Sequence, residues 1–250
     1  MPIPLEVCID SLDAALAAAP HLRRGDRFEV CSSLLAGGGL TPSMGLVLKL
    51  GQLLPDIALM VMIRPRSGTF VYTEGEIKVM LEDIRAFKIS GVSGIVFGCL
   101  LPDGNVDVET AARLAEAAAP LPCTFHRAFD VTPDWHAALD DIARIRGITR
   151  ILTSGHMATA LDGSAELRQL ARAVPAHLSV LPASGINATT LPHVLQVARL
   201  HEAHLSAGEI YTPPWDPTVA RGEVLGFGRS EWRLDASKLA EVRRWVDENT

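Results

Sequence analysis

The sequence predicts an α/β fold, a single (β/α)8 barrel, from three observations. Short apolar runs alternate with longer segments of helical periodicity, which is the pattern of repeated βα units around a parallel sheet. Eight such units follow one another in a chain of 250 residues, close to the ~250 typical of this fold. Hydrophobic residues make up 48% of the chain, enough for a large core, and no Pro/Ser-rich linker divides it. We therefore expect one TIM-barrel domain over residues 1–250.

The predicted strands are short runs rich in apolar and β-branched residues. They begin near Leu5, Arg27, Ala58, Gly94, Pro122, Thr149, Leu178 and Glu202. A doubly wound open sheet is the alternative architecture, but it needs a glycine-rich turn directly after a strand. Gly37-Gly38-Gly39 lacks the G-x-G-x-x-G spacing of that turn, so the barrel is favoured and no nucleotide cofactor is indicated.

Capping signals predict where several helices begin. Thr41-Pro42 and Thr132-Pro133 each place an N-cap candidate before a proline, and Thr73 with Glu76 forms a capping box. Further N-cap candidates are Asp107, Asp235 and either Asn187 or Thr189. After the eighth strand, a long irregular segment at about 209–232 is predicted to be a loop that acts as a lid or an interface arm.

Charge and cysteine content restrict the function. The formal net charge is -6, the pI is about 5.7 and no run of Lys or Arg occurs, which argues against nucleic-acid and anionic-membrane partners. The N-terminal apolar stretch is interrupted by Glu6, Asp10 and Asp13, so it resembles neither a signal peptide nor a membrane span. We expect a cytoplasmic protein with four reduced cysteines and a metal ion or small anion as ligand.

The tripeptide Glu-Val-Cys occurs twice, as Glu6-Val7-Cys8 and Glu29-Val30-Cys31, at the ends of the first two predicted strands. Alternate side chains of a strand share a face, so each Glu and Cys point the same way. A buried carboxylate needs a partner, and a thiol is the softest metal ligand in proteins. Chemistry in a barrel of this type lies at the carboxyl ends of the strands, which is where these residues lie.

Other predicted strands also end in polar residues. Arg64 and Arg66 follow the third strand; they either neutralise Glu6 and Glu29 or bind an anion. His126 lies on the fifth strand with Asp130 just beyond it, a pairing suited to acid–base chemistry or to metal binding. The last two strands end in Ser184-Gly185 and in His204-Leu205-Ser206-Ala207-Gly208, and small residues there leave backbone amides open to a phosphate.

These motifs closely resemble the CutC copper homeostasis family. The resemblance runs in order from Glu6-Val7-Cys8 through Ile63-Arg64-Pro65-Arg66 and Thr124-Phe125-His126-Arg127-Ala128-Phe129-Asp130 to Leu152-Thr153-Ser154-Gly155 and about His204. It implies a cytoplasmic TIM barrel, usually oligomeric (a dimer or tetramer), that binds copper ion and serves copper homeostasis. It also implies that Cys8 and Cys31 are thiol ligands for copper.

Two functions follow from the sequence. In the first, Cys8 and Cys31 bind Cu(I), although inward residues of adjacent barrel strands need not lie within reach of one shared metal. In the second, the chain is an enzyme of lyase or isomerase type that acts on a small anionic or phosphorylated substrate, with or without a divalent metal. Its acid and base groups are Glu6, Glu29, His126, Asp130 and His204, and its substrate-binding residues are Arg64, Arg66, Arg127, Ser154, Ser184, Gly185, Ser206 and Gly208.

Overall fold

The computed structural model describes residues 3–214, 217–226 and 230–250. Its centre is a parallel sheet in the order β7-β6-β5-β4-β3-β2-β1-β8. The strands are β1 Leu5–Ile9, β2 Arg27–Val30, β3 Ala58–Met62, β4 Gly94–Phe97, β5 Cys123–Phe125, β6 Ile148–Thr153, β7 Ser179–Pro182 and β8 Ala203–Leu205. The end strands β7 and β8 contact each other, so the sheet closes almost completely into a barrel and the predicted TIM-barrel fold is confirmed.

Helices alternate with the strands. They are α1 Leu12–Ala18, α2 Leu34–Gly37, α3 Met44–Leu53, α4 Glu74–Ile89, α5 Val108–Ala118, α6 Trp135–Ala143, α7 Ser164–Ala173, α8 Leu191–Ala198, α9 Pro217–Val224 and α10 Ala236–Asn249, with short 3-10 helices at Ala19–His21 and Arg127–Val131. No helix in the described ranges is both long and apolar enough to cross a bilayer.

The capping predictions are partly confirmed. The capping box of Thr73 and Glu76 begins α4, and Asp107 and Asp235 cap α5 and α10. The Thr-Pro predictions are wrong: Ser43 caps α3, because the Thr41 hydroxyl accepts a hydrogen bond from the Arg64 backbone instead. Asp134, rather than Thr132, caps α6. Helix α8 follows Thr190, one residue after Thr189, which was the later of its two predicted N-cap residues.

The segment after β8 contains more regular structure than the sequence indicated. Gly208–Tyr211 (β9) and Glu231–Leu234 (β10) pair as antiparallel strands, and α9 lies between them in the chain. Gly208 makes this pairing possible, because a Cβ at that position would come within 2.0 Å of the Trp232 ring. The predicted loop at 209–232 therefore includes a strand pair and a helix; residues 215–216 and 227–229 of it lie outside the described residues.

The two faces of the barrel strands differ sharply. Outward-facing residues such as Val7, Phe28 and Ile95 pack against the helices in one continuous apolar core, which also contains Cys99 and Cys123. The inside of the barrel holds two small apolar clusters, one of Cys31, Met60, Met62 and Val96 and one of Leu152, Leu181 and Ala183. The rest of the described interior near β1, β2 and β8 is buried and charged, with Glu6, Arg27, Glu29 and His204. This polar face positions the candidate site.

Gly98, directly after β4, makes room for the His126 ring. A Cβ at Gly98 would lie 2.4 Å from Nδ1 of His126 and 2.9 Å from Cβ of Ala128. We predict that Gly98→Ala lowers the free energy of unfolding by about 1–3 kcal/mol, because the ring and backbone must move. Gly51→Ala is the matched control, since that helical site has no atom within 4 Å of a new Cβ, and we expect a gain of about 0.5–1 kcal/mol. Urea unfolding measures both; equal effects would contradict the packing argument.

Candidate metal centre and adjoining cleft

The centre of the site is a chain of charged groups across three neighbouring strands. Backbone pairing places Glu6 of β1 opposite Arg27 of β2 and opposite His204 of β8. One oxygen of the fully buried Glu6 carboxylate accepts a hydrogen bond from Arg27 Nε, and Oε1 lies 2.9 Å from Nδ1 of His204. The Nδ1 atom is thereby committed to Glu6, so the Nε2 atom of His204 is the one that faces the rest of the site.

Charge compensation decides the protonation state of this chain. Burial alone would raise the pKa of Glu6, but Arg27 and the hydrogen bond to His204 lower it to about 2. Burial alone would likewise lower the pKa of His204, but Glu29, Cys8 and Glu6 hold it well above its usual value. Glu6 is therefore a carboxylate that orients a histidine. This environment does not suit the general-base role that the sequence predicted for it.

Three possible metal ligands converge at the Nε2 side of His204. The Sγ atom of Cys8, a carboxylate oxygen of Glu29 and a ring nitrogen of His204 all lie within 4.8 Å of one another, and all three residues are buried. His204 Nε2 is 3.9 Å from Glu29 Oε2. Glu29 Oε1 is buried and has no hydrogen-bond partner within the described part of the chain. Burial raises the pKa of both Glu29 and Cys8. A buried carboxylate with an unpaired oxygen leaves a place for a proton or a cation.

Cys31 adjoins these three ligands without being one of them. Its thiol donates to Glu29 Oε2 over 3.4 Å and otherwise lies against Met60 and Met62. Burial, followed by the charge of Glu29, raises the pKa of Cys31 well above its usual value. The two cysteines that the sequence paired are thus both close to the same carboxylate, with Glu29 as their common neighbour.

Further charged residues support Glu6 from the amino-terminal side of the barrel. Arg27 also binds Glu202 over 2.7 Å, and Glu202 accepts hydrogen bonds from Arg150 and Ser179 over 3.3 Å and 2.9 Å. Arg27, Arg150 and Glu202 were not predicted to be site residues from the sequence. The available signal was the spacing of Arg27 and Glu29, which share an inward face at positions i and i+2.

A cleft of about 700 Å³ opens from this centre towards solvent between the loops after β7 and β8 and helix α10. Cys8 and His204 lie on its floor. Five residues that the sequence predicted to bind substrate line it: Arg127, Ser184, Gly185, Ser206 and Gly208. The structure therefore brings the candidate anion-binding residues of the last two strands directly above the candidate metal ligands.

Asp130 and Ser154 fix one wall of the cleft. The Asp130 carboxylate accepts hydrogen bonds from the backbone of Ser154 and His156, from the Ser154 hydroxyl and from Arg127 Nε over 2.7 Å. Arg127 Nη2 in turn donates to the Ser154 hydroxyl over 2.9 Å. With both oxygens engaged, Asp130 is placed to orient Arg127 rather than to accept a proton from a substrate, and Ser154 is buried beneath it.

Arg64 and Arg66 are engaged by the protein itself. Arg64 donates to the carbonyl oxygens of Gly37, Gly39 and Gly68, which joins the loops after β2 and β3. Arg66 binds Glu76 over 2.5 Å and the carbonyls of the loop that precedes α4. One interpretation of the sequence expected these arginines to pair with Glu6 and Glu29. Neither does so, because both guanidinium groups are engaged by these other contacts. The buried Nε of Arg64 has no hydrogen-bond partner among the described residues.

His126 lies apart from the cleft. Its Nδ1 accepts a hydrogen bond from the Ala128 backbone over 3.1 Å, and its ring packs 4.9 Å from the Phe70 ring, centroid to centroid. Burial, reinforced by the charge of Arg64, lowers the pKa of His126 to about 3, so the ring is neutral at physiological pH. Nε2 therefore carries the proton, and this buried donor has no partner in the described ranges. The sequence placed His126, His204 and Glu29 in one group, whereas the structure divides them.

Comparison with known proteins assigns the family. The CutC family model matches residues 3–209. A copper homeostasis protein cutC homolog from Homo sapiens is 42% identical over 244 residues, which cover 96% of this chain and 86% of the human one. The homolog from Caenorhabditis elegans is 40% identical and covers 82% of this chain and 80% of its own. The solved structure of CutC from Streptococcus agalactiae is similar with a TM-score of 0.74 at 30% identity, over 81% of this chain and 97% of that chain. The chain belongs to the CutC family.

Proposed function

We propose that this protein binds Cu(I) at Cys8 and His204, with Glu29 and Cys31 completing the site, and that it serves copper homeostasis. The observation that carries the proposal is the convergence of a thiol, an imidazole and a carboxylate within 4.8 Å in a buried position. Relatives of this chain are named copper homeostasis proteins, which agrees with such a role.

The donor set fits a soft cation. Cu(I) prefers thiolate and imidazole over carboxylate ligands, so Cys8 and His204 would hold it and Cys31 is the nearest additional thiol. The Glu29 Oε1 atom, which has no hydrogen-bond partner among the described residues, leaves a place for a proton or a cation beside Cys8 and His204. A thiol must lose its proton to bind a metal, and the His204 ring, whose pKa is held well above its usual value, must lose the proton on Nε2. Glu29 is placed to accept a proton from these groups, since it lies beside Cys8, Cys31 and His204.

The surrounding residues hold the ligands in place. Arg27 fixes the Glu6 carboxylate, and Glu6 fixes the His204 ring by its hydrogen bond to Nδ1. A carboxylate that binds the second nitrogen of a histidine is the usual support of a metal-binding imidazole. Cytoplasmic location belongs to this proposal, because all four cysteines are free thiols in the structure and a reducing compartment preserves them.

The decisive experiment is a Cu(I) titration of the reduced protein against a competing chelator. We predict that Cys8→Ser and His204→Phe lose the tight site, and that Glu6→Gln weakens it by about 10–100-fold because the ring loses its support. Cys123→Ser is the matched control, since Cys123 is an equally buried thiol in the core outside the barrel interior. Affinity that is the same in Cys8→Ser and in Cys123→Ser, with both variants folded, would contradict the proposal.

A second candidate function is an enzyme of lyase or isomerase type acting on a small anionic substrate. The observation that favours it is the unpartnered Nε2–H of His126, a neutral donor of the kind that can stabilise a developing oxyanion, near the unpartnered Nε of Arg64. Neither donor lines the cleft above Cys8, and the Phe70 ring packs against both His126 and Arg64.

NMR of the His126 ring tests this second function. Because the folded pKa is about 3, we predict the neutral Nε2–H form at about pH 5, where an unperturbed histidine is mostly protonated. Since the unfolded ring protonates near pH 6.5, stability should fall as the pH drops from there towards 3, and His126→Asn should reduce that slope. Addition of small phosphorylated or carboxylate compounds should shift the Nε2–H signal if the site acts on them. A ring that titrates near pH 6.5 would contradict the assignment of a neutral donor.

A further inference from the structure

The cleft above the metal ligands is much larger than an ion requires. Its volume of about 700 Å³ lies within the ~300–1,000 Å³ range of small-molecule sites. Cys8 and His204 form part of its surface, so any molecule that fills the cleft touches the candidate metal ligands. A path for a bare ion would need no such space, so the cleft has room for a small molecule beside the candidate metal ligands.

We propose that the cleft binds a net-anionic amino-acid thiol that carries Cu(I) to Cys8. This inference rests on the proposed function and adds to it the chemical class of the donor. A low-molecular-weight thiol is the soft ligand that keeps Cu(I) in solution in a reducing compartment, and in this cleft its sulfur can reach the floor while its polar groups stay near the rim.

The charged groups of the cleft fit the polar ends of such a thiol. Arg127 is 42% exposed, and Asp130 and Ser154 engage only its Nε and Nη2, which leaves Nη1 without a partner among the described residues. That free edge of the guanidinium suits a carboxylate. Glu241 of α10 also lines the cleft, and its carboxylate suits the ammonium group of an amino acid. Lys238, also in the wall, is shared between Glu209 and Asp235 over 3.3 Å and 3.5 Å, so Arg127 is the main anion-binding cation.

The small residues of the two loops leave the backbone of the walls accessible. Ser184, Gly185, Ser206 and Gly208, which line the cleft, carry little or no side chain. Gly185 has φ +71°, and a Cβ there would lie 3.1 Å from Thr159, so a larger residue would be strained and crowded. The walls can therefore offer backbone amides to a second carboxylate or to a peptide group of the thiol.

The transfer that follows is a ligand exchange without a change in oxidation state. The bond between Cu(I) and the sulfur of the carrier breaks as the bond between Cu(I) and Cys8 Sγ forms. The proton of the Cys8 thiol passes to Glu29 and then to the thiolate sulfur of the carrier, which departs with its sulfur protonated. The Nε2 proton of His204 leaves to solvent through the cleft as that nitrogen binds the copper. Copper remains Cu(I) throughout, so no oxidant or reductant is needed.

Stopped-flow transfer measurements test the inference. Cu(I) is supplied as its complex with glutathione, an anionic thiol, or with 2-mercaptoethanol, a neutral one, and the two rates are compared as a ratio. We expect the glutathione complex to transfer faster at low salt, and the ratio to fall about tenfold in Arg127→Gln, which corresponds to about 1.4 kcal/mol. Arg113→Gln is the matched control, because Arg113 is a comparably exposed arginine paired with Glu74 outside the cleft, and the ratio should be retained.

A second measurement needs no variant and no metal. S-methylglutathione, which cannot exchange copper, should bind the wild-type apoprotein and perturb the NMR signals of the Ser184–Gly185 and Ser206–Gly208 loops. Absence of this binding, together with equal transfer rates from both carriers, would overturn the inference while leaving the Cu(I) titration free to support the metal site. Binding of S-methylglutathione without tight Cu(I) binding would overturn the proposed function instead. Inorganic phosphate serves as a comparison ligand. NMR signals of these loops that shift with phosphate but not with S-methylglutathione would point to a phosphorylated ligand and would also overturn the inference.

Discussion

The buried Glu6 carboxylate, held between Arg27 and His204, is the interaction on which the rest of the site depends. It joins β1 to both of its neighbours inside the barrel, and β8 is the last strand of the sheet. Removing one partner from such a buried pair typically costs about 3–5 kcal/mol, because the remaining charge is left unsatisfied. The same carboxylate turns Nε2 of His204 towards Cys8 and Glu29. The Glu6 carboxylate therefore determines both the stability of the barrel at this point and the orientation of the His204 ring.

The unequal filling of the barrel explains why the site lies to one side. Met60, Met62 and Val96 fill the interior near β3 and β4, and Leu152 and Leu181 fill it near β6 and β7. The buried Glu6, Arg27, Glu29 and His204 lie around β1, β2 and β8, where the cleft opens to solvent, and Arg150 of β6 reaches this group through Glu202. Burial keeps both thiols protonated in the apoprotein, since it raises the pKa of Cys8 and of Cys31.

The sequence predicted those features that depend on local pattern. Strand periodicity predicted the first residue of all eight barrel strands to within one residue, and it placed Glu6, Cys8, Glu29 and Cys31 inside. His126, which was predicted to lie on the fifth strand, instead follows β5 directly. Strand periodicity could not predict contacts between residues that are far apart in the sequence. Glu6 and His204 are 198 residues apart, and only closure of the barrel makes them neighbours. The sequence also could not predict that Asp130 accepts hydrogen bonds from the loop after β6 or that Arg66 pairs with Glu76. Each contact depends on how one loop packs against another. Thr41 failed as a cap for the same reason, since Arg64 uses its hydroxyl.

Copper K-edge X-ray absorption of the protein loaded with a single equivalent of Cu(I) tests most directly whether His204, held by Glu6, binds the metal. We predict a first coordination shell that contains thiolate sulfur and one imidazole nitrogen, with the imidazole signal lost in His204→Phe. The signal should be retained in the control His193→Phe, which changes an exposed histidine of α8. A first shell made of sulfur alone, identical in both variants, would show that the histidine held by Glu6 is not a ligand and would contradict the account.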